Sequence, residues 1–174
     1  MLKLAITIVL AGVLLTFMLA FYDWYPLSPN EQAIMDDINR DHAGDISRYT
    51  EAIKADPSDV NNYKKRAYSY KMIMQYRTAL PDLTKVIELL PNDPESYRDR
   101  GYTYLQVGQY DKAIDDFSKG LDLAPDLVIL YMFRADAYEY LGKDDLAKAD
   151  RQKVQELDQK KKQQFFSPAV APAN

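Results

Sequence analysis

The sequence of 174 residues contains no cysteine and only one histidine, His42. The lack of cysteine excludes disulfides, thiol nucleophiles, cysteine-based metal centres and the lipidated cysteine of a bacterial lipoprotein, although it indicates no particular redox compartment. A single histidine leaves little for a histidine metal site or a Ser/His/Asp triad. The six glycines are scattered, so no phosphate-cradling loop is present, and GxSxG and HExxH are also missing. We therefore expect a protein that is not an enzyme and that has neither cofactor nor metal.

The chain also has no excess of basic residues, since its net charge is −4 and its pI is near 5.0. Nucleic-acid-binding proteins usually carry a basic surface, so we expect no nucleic-acid partner. What is present is a foldable composition, 47% hydrophobic and 28% charged. The length suits one medium domain, or a small domain with an accessory segment.

One long apolar run stands at the N-terminus. Leu4–Tyr22 is free of charged residues, and a helix of that length spans roughly 28 Å, close to the hydrocarbon core of a bilayer. Lys3 precedes the run, Asp23 follows it, and Trp24 suits the membrane interface. We predict a transmembrane anchor over residues 1–25 that contacts the membrane through residues 4–22. The charge bias predicts a single-pass protein with a cytoplasmic N-terminus and the rest on the far side, in the bacterial periplasm.

A cleaved secretory signal is the alternative for this segment. The apolar run is longer than the usual signal core of about 7–15 residues, and a cut after Ala20 would leave the bulky Met18 where a small residue is preferred. Mass spectrometry of the mature N-terminus separates the two interpretations, since cleavage would remove residues 1–20.

The chain after the anchor repeats itself with a period of 34 residues. Each unit reads as two amphipathic helices, in which small residues such as Gly101 and Ala113 allow close approach and large ones such as Phe117 fill the space around them. The residues that align at this period are Tyr63, Tyr97 and Tyr131; Arg66, Arg100 and Arg134; Ala67, Gly101 and Ala135; Tyr70, Tyr104 and Tyr138; Ala79, Ala113 and Ala147; Asp82, Asp116 and Asp150; and Pro57, Pro91 and Pro125.

This pattern resembles the tetratricopeptide repeat family, which has the same period, a large residue and Gly/Ala in the first helix, A–x₃–F in the second and a terminal proline. The resemblance implies an all-α fold, a right-handed α-solenoid of helix-turn-helix repeats, here preceded by the transmembrane helix. The boundaries that we predict are a linker over 26–30, a degenerate first repeat over 28–59, repeats over 60–93 and 94–127, a repeat with a long capping helix over 128–164, and a disordered tail over 165–174.

Some residues depart from the family pattern. Met74 stands where the other repeats have the turn glycine. Leu83 and Arg151 stand at the positions equivalent to the aromatic residue Phe117. We assign Arg151 to a polar outer face that seals the last repeat. We also predict a turn over Asp41–Gly44 between two helices of the first repeat, with His42 at the surface.

The recurring arginine and aspartate residues predict an ion pair between the two helices of each repeat. Asp82, Asp116 and Asp150 each follow an arginine by 16 residues. A carboxylate matches the geometry of a guanidinium, so a structural bridge is favoured over a ladder of anion-binding arginines.

The family resemblance implies that one flank of the first helices lines a concave groove for a protein or peptide partner. The groove would begin basic and aromatic and end acidic; the alternative is a solvated helix face of ordinary mixed charge. The family's asparagine in the clamp for a terminal carboxylate falls on Tyr68 or Tyr102, so that clamp is not expected. The predicted groove residues are Lys64, Tyr68, Lys71, Arg98, Tyr102, Leu105, Met132, Asp136 and Glu139.

These features predict a membrane-anchored adaptor that binds a partner protein and assists the assembly or stability of a membrane protein complex. The alternatives are a permanent structural subunit of a larger membrane complex and a cleaved, secreted adaptor. The repeat fold alone does not choose between them.

Overall fold

A computed structural model describes residues 28–166 of the chain. Within that range the chain forms seven α-helices and no strand. The predicted anchor and most of the predicted tail lie outside the described residues. The helices are α1 (Pro29–Ala55), α2 (Val60–Met72), α3 (Tyr76–Leu89), α4 (Pro94–Gln106), α5 (Tyr110–Leu123), α6 (Val128–Tyr140) and α7 (Asp144–Phe166).

None of these described helices is both long enough and apolar enough to cross a membrane. The span predicted over residues 4–22 is outside the part of the chain that the structure describes. Membrane anchoring therefore stays a prediction.

The chain divides into two compact units, and the boundary between Asp41 and His42 falls inside α1. The first unit contributes the start of α1, which is stabilised locally by a capping box. The Ser28 amide donates to the Glu31 carboxylate at 2.8 Å, and the Glu31 amide donates to the Ser28 hydroxyl at 3.3 Å. The hydrogen bonds with Ser28 lower the pKa of Glu31.

The predicted turn over Asp41–Gly44 is wrong, because α1 is one continuous helix of 27 residues. A lone glycine costs a helix only about 1 kcal/mol, and no proline stands at this point to break it. The pair Arg48–Asp45, with 2.7 Å between its charged atoms, adds local support one turn later. Where the sequence predicts two helices in the first repeat, the structure has one.

The second unit is built from three helical hairpins that pack in chain order, α2 with α3, α4 with α5, and α6 with α7. Asp59 and Asp93 cap the first helices of two hairpins by accepting a hydrogen bond from the amide two residues later. Left-handed backbone turns connect the helices of each hairpin. Their φ values are 59° at Met74, 74° at Gly108 and 67° at Gly142.

Close helix approach in the middle hairpin requires a residue without a side chain at position 101. A Cβ atom on Gly101 would lie 2.6 Å from Cε1 of Phe117, which is fully buried. The preceding hairpin has the pair Ala67 and Leu83 at the same positions, and both are buried there. The larger side chain, Phe117, is thus paired with glycine, and the smaller one, Leu83, is paired with alanine, as dense packing of the core requires.

Three arginines, Arg66, Arg100 and Arg134, confirm the predicted bridges. Each donates from Nε and Nη2 to both oxygens of the buried aspartate on the second helix of its hairpin, with donor–acceptor distances between 2.6 and 2.8 Å. Each also donates from Nη1 to a hydroxyl on the helix before its own, at 3.0, 3.3 and 3.0 Å. We call each such set an arginine staple; the sets are Arg66–Asp82–Thr50, Arg100–Asp116–Thr84 and Arg134–Asp150–Ser118.

An arginine staple joins three helices. It holds the two helices of one hairpin together, and it also holds that hairpin against the preceding helix. The hydrogen bond with Asp116 raises the pKa of Arg100, in spite of the burial that opposes it. Thr50, near the end of α1, accepts from Arg66 in the way that Thr84 and Ser118 accept from Arg100 and Arg134.

Gly101→Ala is expected to destabilise the protein by about 1–3 kcal/mol, because the added methyl group overlaps the ring of Phe117. Phe117→Leu should recover part of that loss, since the double variant recreates the pair Ala67 and Leu83. Chemical denaturation of the two single variants and the double variant measures the coupling. Strict additivity of the two changes would show that the contact does not limit the helix approach.

Met74→Gly is expected to stabilise the protein by about 1 kcal/mol, because glycine adopts a left-handed backbone without strain. Gly108→Ala is the matched control and should destabilise it by a similar amount. A Cβ atom on Gly108 would meet nothing within 4 Å, so the control tests conformation without a clash. Thermal unfolding measures both variants, and an unchanged Tm for both would contradict the strain argument.

Arg100→Ala is expected to lower the free energy of unfolding by about 3 kcal/mol, because it leaves the buried Asp116 without its cation. Thr84→Val removes only the contact to the preceding helix and should cost about 1 kcal/mol. Arg98→Ala is the control; its pairs with Asp99 and Glu95 are more exposed and should contribute less than 1 kcal/mol. Equal losses for Arg100→Ala and Arg98→Ala would refute the structural role of the staple.

Candidate partner-binding surface

The first helices of the three hairpins, α2, α4 and α6, present a stripe of half-buried and exposed residues at i, i+4 and i+8. Direct contact between α4 and α6 brings two of these stripes side by side, and the bond from Lys64 to Asp93 links α2 to the start of α4. Beside each stripe lies one more residue, Lys71 on α2, Leu105 on α4 and Glu139 on α6, which directly precedes the last residue of the stripe. We call this surface the first-helix face; its residues are Lys64, Tyr68, Lys71, Met72, Arg98, Tyr102, Leu105, Gln106, Met132, Asp136, Glu139 and Tyr140.

The first-helix face contains all nine residues that the sequence predicts for the groove. The structure places none of the nine in the fully buried core, and it leaves their role in binding as a prediction. Sequence reasoning missed Met72, Gln106 and Tyr140. Each lies four residues after a predicted position, so the helical period of 3.6 already contained that signal.

Exposed apolar side chains concentrate on this face. Tyr68 is 55% exposed, Met72 42%, Met132 39% and Tyr140 66%. In contrast, α3 and α5 expose no large hydrophobic residue. A cluster of exposed apolar side chains on one face is typical of a surface that another molecule covers.

Aromatic contacts hold several of these residues in place. The rings of Tyr102 and Phe133 have centroids 5.2 Å apart, and Phe133 in turn lies 5.7 Å from Phe117 in the core. Tyr140 stacks on Tyr110 with 4.8 Å between centroids and 8° between planes. Such contacts restrict the side chains before any partner binds, which lowers the entropy cost of association.

His42 is half-buried and packs edge-on against Tyr68, with 6.3 Å between ring centroids. The side chain is thus partly covered by α2 and partly at the surface. Its Nδ1 atom is buried without a hydrogen-bond partner among the described residues.

Charges on the α2 side of the face are only partly compensated. Lys64 Nζ lies 3.4 Å from a carboxylate oxygen of Asp93, and Lys71 makes no ion pair within the described residues. The Asp93 pKa is lowered, since Ser96 and Lys64 outweigh the opposing effect of burial. On α4, Arg98 is neutralised at short range by Asp99, at 2.9 Å, and Glu95, at 3.6 Å.

The acidic end on α6 differs from the prediction in one respect. Arg151 binds both predicted acidic groups, with 2.7 Å from its Nη2 atom to Asp136 and 2.9 Å to Glu139. The hydrogen bonds with Glu139 and Asp136 raise the pKa of Arg151. The Arg151 guanidinium is held by a carboxylate pair on the neighbouring helix, and its role in sealing the last repeat stays a prediction.

A surface pocket of about 350 Å³ opens beside this triad and is lined by Asp136, Glu139 and Tyr140. Within the described range, no three His, Cys, Asp or Glu residues are grouped so that they could hold a metal ion. The side chains of this face offer aromatic and apolar contact, flanked by charge of opposite sign at the two ends of the face.

Comparison with known families matches two of the three hairpins. Tetratricopeptide repeat models match residues 94–127 and 128–161. These two ranges are similar to tetratricopeptide repeats. The first match has the boundaries predicted from the sequence, and the second begins at the predicted residue.

Solved structures support the same fold. MamA from Desulfovibrio magneticus RS-1 is similar with a TM-score of 0.65 and 23% identity, over 69% of this chain and 68% of that one. MamA MSR-1 has a TM-score of 0.61 and 26% identity, over 68% of this chain and 71% of that one. MamA AMB-1 has the same TM-score and identity, 0.61 and 26%, over 66% and 62%. A comparison with curated proteins gave no match.

These likenesses show an all-helical solenoid of the tetratricopeptide type. Together with the repeats, they support a protein–protein interaction scaffold as the general role of the chain. The predicted partner-binding groove corresponds to the first-helix face.

Proposed function

We propose that this protein is a non-enzymatic adaptor, tethered to a membrane through residues 4–22, whose tetratricopeptide repeats bind a partner protein and assist the assembly or stability of a membrane protein complex. The observation that carries the binding role is the concentration of exposed tyrosine and methionine on the first-helix face. The tether rests on the uncharged run Leu4–Tyr22 alone.

The division of labour between helix faces supports binding at this surface. The staple residues lie on other faces of α2, α4 and α6, so exposed residues such as Tyr68 and Met132 take no part in the staples. Exposure of apolar area to water costs about 25 cal/mol per Å², which a bound partner would recover. Pre-ordered aromatic residues of this kind commonly dominate interface energies.

Tethering adds to the effect of this surface. A membrane anchor confines the adaptor to the layer in which membrane-bound partners also lie, which raises their effective concentration. We place the repeats on the side opposite the cytoplasm, in the bacterial periplasm, from the charge bias around the anchor.

A photoreactive residue at position 68 tests the binding surface in the intact protein. Crosslinking in the native membrane should yield a discrete adduct from position 68 and much less from position 119, which is exposed on α5. The variant with Lys64→Ala, Tyr68→Ala and Tyr102→Ala should lose co-purification of the crosslinked partner by at least tenfold. Mass spectrometry and quantitative blotting give both readouts.

The matched control carries Arg77→Ala, Lys119→Ala and Asp122→Ala on the second helices α3 and α5. It should retain the partner, and both triple variants should be folded by circular dichroism. Undiminished co-purification with the variant of the first-helix face would reject this proposal, as would equal adducts from positions 68 and 119.

A further inference from the structure

We infer that the first-helix face binds a polypeptide segment with a fixed direction, whose acidic end lies over α2, whose apolar side chains cover the tyrosine and methionine residues, and whose basic end lies over α6. This inference rests on the proposed function, and it adds the chemistry and the orientation of the partner.

The α2 end selects acidic groups. Lys64 and Lys71, together with the Asp93 carboxylate that pairs with Lys64, give this part of the face a formal charge of +1, and the neighbouring Lys65 is exposed. Lys71 has no carboxylate partner within the described residues, and the 3.4 Å pair of Lys64 with Asp93 is long and half-exposed. Carboxylates from a partner would therefore gain attraction here without displacing a strong internal contact.

The centre of the face selects apolar groups and offers no available cation to a partner. Arg98 is already paired with two carboxylates, Asp99 and Glu95, so an incoming carboxylate would gain little there. Tyr102 is braced from behind by Phe133 and offers a restrained aromatic surface. Apolar side chains of a partner segment gain most at this position, since the ring is already ordered.

The α6 end selects a cation. Asp136 and Glu139 share the single charge of Arg151, which leaves a formal charge of −1 beside the pocket of about 350 Å³. Tyr140 lines the same pocket, with one ring face stacked on Tyr110 and most of its side chain exposed. A lysine or arginine side chain would meet both carboxylate and aromatic surface there.

The two ends therefore carry opposite charge and are separated by an aromatic middle whose one cation, Arg98, is already paired with Asp99 and Glu95. A segment placed in the reverse direction would bring carboxylates against Asp136 and Glu139 and cations against Lys64 and Lys71. Like charges at both ends penalise that arrangement, which is how a charged surface sets direction.

Selection of random peptides on the full-length protein in detergent tests this inference without assuming a partner. Enriched peptides should share an acidic block, an apolar centre and a basic block in that spatial order. Selection on the variant Lys64→Glu/Lys71→Glu should lose the preference for the acidic block. The matched control, Lys112→Glu/Lys119→Glu on α5, should keep it.

The most enriched synthetic peptide then gives a quantitative test by fluorescence anisotropy. Its Kd should rise about tenfold in Lys64→Glu/Lys71→Glu at low salt, as expected for the loss of two partly exposed ion pairs, and this difference should shrink at 0.5 M salt. The control pair should leave the Kd within twofold. Circular dichroism confirms that each variant is folded.

The outcomes separate this inference from the proposed function. Enriched peptides without a charge order, or with an order that survives Lys64→Glu/Lys71→Glu, would overturn the fixed direction and leave binding at the first-helix face intact. No enrichment over the variant with Lys64→Ala, Tyr68→Ala and Tyr102→Ala would count against both.

Discussion

The arginine staple is the interaction on which the rest of this structure depends. A carboxylate as buried as that of Asp116 needs a cation, and Arg100 supplies two parallel hydrogen bonds whose planar geometry admits little variation. The remaining donor of the same guanidinium reaches Thr84 on the preceding helix. One side chain thus fixes the position of three helices. Since the same arrangement recurs in each hairpin, the hairpins pack against one another in the same way along the chain.

This constraint leaves one face of the first helices free. Staples and close contacts such as that of Gly101 with Phe117 occupy the faces turned toward the neighbouring helices. The first-helix face supplies no residue of a staple, so its charge can change from hairpin to hairpin while the fold stays the same. Lys71 and Glu139 occupy equivalent positions and differ in charge for this reason. Because the fold constrains only a small number of positions, a similar fold in MamA MSR-1, with a TM-score of 0.61, is compatible with only 26% identity.

Much of the fold follows from the period of the sequence. The paired helices after residue 59, the Arg–Asp bridges and the small residue opposite Phe117 are all local or periodic features, and these predictions agree with the structure. The third partner of each staple was also visible, since Thr50, Thr84 and Ser118 recur at the same period. The turn over Asp41–Gly44 was predicted incorrectly, because a single glycine and a histidine do not outweigh the helical preference of their neighbours.

The sequence by itself determined the helical hairpins, their order and the residues that join them, because a repeated pattern requires each unit to adopt the same structure and to bury the same face. Only the tertiary structure decided how the side chains of the first-helix face are used. Arg151 turns to Asp136 and Glu139, Tyr102 rests on Phe133, and Lys71 is left without a carboxylate within the described residues. These contacts join residues on different helices and break the repeat pattern, so their partners depend on distances that no periodicity encodes.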